Sequence, residues 1–217
     1  MAIGDGKGRD SKSGYHHGNL REALIQAALA LIAERGLGGF AVAELARAVG
    51  VSAAAPYRHF RDRDAVLAEV ARRGFDLLAT SMRAATESHA NAVAALEACA
   101  HAHLAFAAHE RPVYSAMFDP HFPVAEHPEL ARAREAAFAV QRAAAQAACD
   151  RSMTPRRPPA LMVALHIWAM THGIAQLYLG RSGAGQLPMQ PAELLEAGLL
   201  VYLQSLDLNP ASTRNRA

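Results

Sequence analysis

Cysteine is nearly absent. Cys99 and Cys149 are the only two in 217 residues, too few for a disulfide framework, and a reducing cytoplasmic setting is expected. No charged-then-apolar signal segment opens the chain, which begins with Gly, Asp, Lys and Ser. Charge of one sign is also in short supply. The 22 Lys and Arg against 20 Asp and Glu leave a formal net charge of +2. That is too mild to announce a nucleic-acid partner by itself, although a local basic face would suffice for one. Catalytic signatures are missing as well. There is no strained Gly-x-Ser-x-Gly elbow, no phosphate-cradling Gly loop and no histidine pair with a carboxylate at metal spacing, so no enzyme is expected. Nor is there a strand pattern, an internal repeat or a low-complexity tract.

Eleven histidines raise the question of metal. Cys99 and His103 share a helical face at i, i+4, but the others are scattered without tight ligand spacing, and neither a metal nor another cofactor is expected. One long apolar run exists, "LMVALHIWAMTHGIAQLYL" from Leu161 to Leu179. It has nearly the length of a membrane span, yet it carries His166, Thr171, His172 and Gln176, which are costly in lipid. Burial against protein is the expectation, with no membrane partner.

What the chain does have is apolar residues, 52% of the total, many of them alanine, the composition of packed helices. An all-α fold is predicted, and the length allows one core or two small ones. Residues 1–14 are Gly-rich and polar, which predicts a flexible arm whose Lys7, Arg9 and Lys12, with Tyr15 and His16 beyond it, are available to DNA. Asn19 and Glu22 resemble a capping box opening a helix whose apolar positions, Leu20, Ala23, Leu24, Ala27, Ala28, Leu31 and Ile32, follow helical spacing until Gly36. Val42, Leu45, Ala46 and Val49 repeat that spacing over a shorter helix ended by Gly50, and Ser52 is placed to cap a third. Further helices are predicted over about 64–87, 91–109, 112–118, 128–150, 158–180 and 191–207, separated by Pro-rich or Gly-rich loops.

Helix, Gly-containing turn and second helix form the outline of a helix-turn-helix. Phe60 anchors the third helix in the core. Tyr57 and His59 are then free to donate to phosphates, and Arg58 can reach a guanine edge or a phosphate. Ser52, Ala53, Ala54 and Ala55 let the helix sit deep in the major groove, with alanine methyls available to thymine. Pro56 would be the fourth helical residue, where it crowds the Ser52 carbonyl.

Three segments, "YHHGNLREALIQAALALIAERG", "VAELARAVGVS" and "YRHFRDRDAVL", fall in the right order and spacing to resemble the DNA-binding domain of the TetR family of bacterial transcriptional regulators. "WAMTHG", Trp168–Gly173, is similar to a Trp-x-x-x-His-Gly element of one subgroup. The resemblance implies a flexible arm over 1–14, a three-helix helix-turn-helix domain over 15–63, a helical effector-binding and dimerisation domain over 64–210, and a tail over 211–217. It also implies that Arg63 stands where a phosphate-binding lysine is common, and that Pro56 departs from the family's usual leucine-like residue.

The expected function is a ligand-responsive regulator, a repressor that binds a palindromic operator as a homodimer and is released by a small hydrophobic or aromatic effector. Candidate pocket residues are His103, Phe106, Tyr114, Met117, Phe118, Phe138, Trp168 and His172, which would also suit an ordinary core. The expected interface is the helix around Trp168 together with Leu195, Leu199, Tyr202 and Leu206, spaced at i, i+4, i+7 and i+11. The alternative is a DNA-scaffolded interaction factor with a protein effector.

Overall fold

The computed structural model describes residues 17–119, 122–152, 158–179 and 188–208. The basic arm and the tail lie outside them. Among the described residues the regular elements are eight α-helices and two short 3-10 turns, with no strand: α1 (His17–Arg35), α2 (Val42–Ala48), a 3-10 turn (Ala55–Arg58), α3 (Arg63–Glu87), α4 (Ala92–His109), α5 (Arg111–Met117), a second 3-10 turn (Val124–Glu126), α6 (Pro128–Asp150), α7 (Ala160–Leu179) and α8 (Pro191–Ser205).

Two hydrophobic cores share one long helix. The first gathers Leu24, Ile25, Ala28 and Ile32 of α1, Leu45 of α2, Phe40, Phe60, and Val66, Leu67 and Val70 of α3. The second begins along α3 at Ala71 and continues through Phe75, Leu78 and Met82 into α4 to α8. Apolar residues at i, i+3 and i+4 give α3 an inward stripe along its whole length. Full burial of Phe75, Leu78 and Met82 contributes about 2 kcal/mol each. α6 presents small residues inward, among them Ala133, Ala137, Ala144, Ala145 and Ala148, so α3 and α4 can approach it closely.

Helix ends follow local chemistry. Asp62 caps α3 by accepting a hydrogen bond from the Ala65 amide at 2.8 Å, and Asn91 caps α4 by accepting from the Val93 and Ala94 amides. Gly50 takes φ +73° at the end of α2, a left-handed conformation that glycine adopts without strain. α1 differs from expectation. It begins at His17, ahead of the expected cap at Asn19, and the Glu22 carboxylate is engaged instead by Gln26 at 2.9 Å and Arg73 at 2.6 Å.

The third helix of the DNA-binding unit is also shorter and tighter than the sequence predicts. Ser52 does not open an α-helix. Its carbonyl accepts from the Ala55 amide at 3.0 Å, the i→i+3 bond of a 3-10 turn, because Pro56 has no N–H with which to make the i→i+4 bond. The Pro56 carbonyl then accepts from both His59 and Phe60 at 2.9 Å. Pro56 is therefore a buried residue in the first turn of a 3-10 segment, not the fourth residue of an α-helix.

The residues expected at the interface are engaged within the protomer. Leu195 and Leu199 are fully buried inside the protomer, and Trp168 is half-buried against His103 and Phe138. Tyr202 bonds His166 of α7 at 2.9 Å, and Leu206 packs on the second core. Periodicity located an apolar stripe on α8, but that stripe faces the protomer's own core. On these two helices the large apolar residues left outside are Leu161, Met162, Leu165 and Leu177 of α7 and Leu200 and Val201 of α8, between 45% and 68% exposed. Ala160–Tyr178 is long and apolar enough to cross a membrane, yet Val163, Ala164, Ile167, Ile174 and Ala175 along one face of that helix are core residues.

Candidate DNA-binding and effector sites

The first site is the surface made by the turn after α2. Pro56 and Phe60 point inward as anchors, and the Arg21 guanidinium sits 5.1 Å over the Phe60 ring. Pinning those two residues turns the others outward. Ser52, Ala53, Ala54, Tyr57 and Arg58 are exposed, Tyr57 by 56%, while Ala55 and His59 are half-buried. The small residues leave room for a groove wall, and Tyr57 and Arg58 project beside them as donors. Arg63 is differently employed. It donates to the Leu37 carbonyl, its guanidinium lies 5.2 Å over Phe40, and Nη1 stands 3.7 Å from Asp64. It thus braces the α1–α2 connection against the start of α3.

A carboxylate that the sequence reading missed fixes this unit to α3. Glu69 is buried, and accepts hydrogen bonds from Arg21 of α1 and from Arg72 and Arg73 of its own helix, at 2.8 to 3.0 Å. Burial alone would raise its pKa, but the bonds from Arg72, Arg21 and Arg73 outweigh that and hold the carboxyl well below the usual carboxylate range. The signal in the sequence was a charged residue on the apolar stripe of α3, with two arginines following three and four positions on.

The second site is a ring cluster in the helical domain. Tyr114 Oη lies 3.0 Å from His103 Nε2 and 2.8 Å from His172 Nδ1, so one phenol joins α4, α5 and α7. Trp168 sits 4.5 Å from the His103 ring, Phe118 lies 4.3 Å from His172 and 4.7 Å from Tyr114, and Phe138 meets Trp168 edge-on at 5.5 Å. Phe106 is 6.5 Å from Tyr114. Seven of the eight candidate pocket residues therefore converge. Met117 is turned elsewhere, toward Gly74 of α3, where an added Cβ would come within 2.5 Å of its sulfur. Two buried polar residues of this region were not foreseen: Gln141, whose Oε1 accepts from the Cys99 thiol at 3.3 Å, and Thr171. Gln141 was legible in principle, since it occupies the alanine face of α6. Among the described residues, no group of three His, Cys, Asp or Glu is placed to hold a metal ion.

Burial makes His103 a neutral imidazole. Removal from water, with His172 nearby, lowers its pKa from the ordinary 6.5 to about 3. As the pH falls below 6.5 the unfolded chain takes up a proton that the folded chain refuses until near pH 3, so stability declines across that window. Between about pH 7 and about pH 5 the loss is expected to be about 2 kcal/mol. His172, lowered by burial, acts in the same direction. Urea unfolding at the two pH values checks this, and His103→Phe should flatten the dependence.

Helix-turn-helix surface, shared long helix and helical C-terminal domain define a DNA-binding transcriptional regulator with a ligand-binding domain. Residues 24–70 match bacterial regulatory proteins of the tetR family, and residues 96–202 match the tetracyclin repressor-like C-terminal domain. The chain belongs to the TetR family. It is similar to a Rhodococcus protein of unknown function at 32% identity and TM-score 0.75, over 90% of this chain and 99% of that one. A TetR family transcriptional regulator from Thermus thermophilus is 20% identical with TM-score 0.66, over 83% of this chain and 97% of its own. A ketosteroid transcriptional regulator of Mycobacterium tuberculosis is 19% identical with TM-score 0.63, over 86% and 94%. These last two share the fold. No curated protein matches the sequence.

Proposed function

We propose that the chain is a cytoplasmic repressor that binds a palindromic operator as a homodimer and releases it when a small, largely hydrophobic or aromatic effector occupies the ring cluster. The observation that carries this reading is the position of α5. Tyr114 belongs to the ring cluster, Ala116 to the core of the DNA-binding unit, and Val113 and Met117 press on Gly74 of α3 so closely that even a methyl group there would meet both at 2.5 Å. In this reading a displacement of Tyr114 passes through that close contact to α3. The N-terminal end of α3 is tied to α1 through Glu69 and Arg21, and through Arg63 to the Leu37 carbonyl. Rotation of α3 therefore carries the Tyr57–Arg58 surface with it. The effector must bind the two arrangements unequally, with a coupling of about 1 to 3 kcal/mol.

In this reading Tyr57, Arg58 and His59 contact DNA together with Ser52 and Ala53 to Ala55. Arg63 contributes by bracing the unit, with Nη2 on the Leu37 carbonyl and Nη1 beside Asp64. The interface is formed by the outward stripe of α7 and α8 rather than by Leu195 and Leu199.

Arg58→Ala is expected to weaken operator binding by about 1 to 3 kcal/mol while the circular dichroism spectrum and melting temperature stay unchanged. Tyr57→Phe, losing one donor, should weaken it less. Fluorescence polarisation against operator DNA over a range of salt checks both. Unaltered affinity and salt slope in the two variants would remove this surface from the DNA. Arg63→Ala is a poorer probe, since it also strips the partner from the Leu37 carbonyl.

A further inference from the structure

The ring cluster holds more polar atoms than packing requires. His103, Gln141 and Thr171 are wholly buried, yet His103 Nδ1, Gln141 Nε2 and Thr171 Oγ1 have no hydrogen-bond partner. Each such atom lowers the stability of the free fold, and an apolar side chain of the same shape would avoid that cost. They sit on three helices, α4, α6 and α7, that pack against one another. Gln141 lies one turn from Phe138 on α6 and touches Cys99, which lies one turn from His103 on α4. Thr171 on α7 adjoins His172 and lies one turn from Trp168. Phe118, Phe138, Trp168 and His172 are the half-buried members, the part of the cluster nearest solvent.

Among the described residues no fully buried charged side chain belongs to the cluster. Among the described residues the buried polar or charged side chains are Glu69, His103, Gln141 and Thr171, and Glu69 is occupied by arginines of α1 and α3. A carboxylate or an ammonium would enter without a counter-ion, at a large desolvation cost.

We infer that the effector is an uncharged molecule bearing a carbonyl or hydroxyl group, which Gln141, Thr171 and the free nitrogen of His103 read within the cage of Phe118, Phe138 and Trp168. This rests on the regulator reading above and narrows it. The neutral state that burial imposes on His103 agrees, since that ring then offers no cation to an acid. A neutral group satisfies the orphaned atoms on binding, and a site built to hydrogen-bond one such group rejects analogues that lack it.

Trp168 is the only tryptophan, and it lies inside the cluster, so its fluorescence reports occupancy directly. The test titrates the full-length protein at neutral pH with cyclohexanone and with cyclohexanecarboxylate, two probes on one ring. The ketone is expected to change Trp168 emission saturably and the carboxylate to leave it unchanged. Thr171→Val keeps the side-chain shape and removes the hydroxyl. It should bind the ketone about tenfold more weakly, the loss of one hydrogen bond, and in the absence of probe should melt no lower than the wild type. Gln141→Met should give the same two readings. A carboxylate bound as tightly as the ketone, no response to the ketone, or probe-free melting temperatures below wild type for both variants would overturn the inference. The regulator reading fails by a different result, absence of operator binding by the wild-type protein, which the probe titration does not measure.

Discussion

Leu195→Arg is expected to unfold the helical domain rather than separate two protomers. Leu195 is fully buried where α8 meets the second core. Removing its side chain alone costs about 2 to 5 kcal/mol, and an unpaired guanidinium confined there adds several more. Against a total stability of about 5 to 15 kcal/mol, that sum abolishes the fold. Loss of helical signal and of soluble expression would be seen together. A well-folded monomeric Leu195→Arg protein would mean that the α8 stripe faces a partner after all.

The opposite outcome is expected for Val201→Arg on the other side of the same helix. Val201 is 68% exposed, and Leu165 and Leu200 also stand in the outward stripe, at 49% and 52%. An arginine there keeps its charge in water in the free protomer, so the melting curve of the monomer should be intact. In a dimer built on this stripe it would be buried against apolar residues of the second copy without a counter-ion. Light scattering should report monomers. Operator affinity should fall about 10²- to 10⁴-fold, because the second half-site would no longer be bound from an effectively intramolecular position. A dimeric Val201→Arg protein with unchanged operator affinity would place the interface elsewhere.

These two residues show where the sequence was readable and where it was not. Most helices were legible because apolar spacing and Gly or Pro stops agreed with one another, as at Gly50, whereas the start of α1 and the segment after Ser52 were not. Periodicity alone could not tell which partner an apolar face meets. Leu195 and Leu199 look the same whether they seat on α4 and α7 or on another subunit, and only the packed structure separates the two. The exposed stripe of α7 was hidden by the opposite effect, since a helix apolar on most sides has no readable direction. At the DNA surface the outward side chains were legible from their types. The tight 3-10 geometry was not, because Pro56 can be met by a kinked helix or by a turn and the sequence does not choose. The ring cluster was foreseen as a set of residues, while Gln141 and Thr171 escaped because an isolated polar residue on a helix reads as a surface one.

In the proposed function, two copies of this chain read one palindromic DNA site through the turn at Ser52–His59. Selection from random duplex DNA with the purified wild-type protein tests it most directly. Enrichment of a single inverted repeat is expected, with half-sites centred about one helical turn, roughly 10 base pairs, apart or a multiple of it, bound by two chains and lost from the Arg58→Ala selection. No enriched sequence, or a lone half-site saturated by one chain, would contradict it.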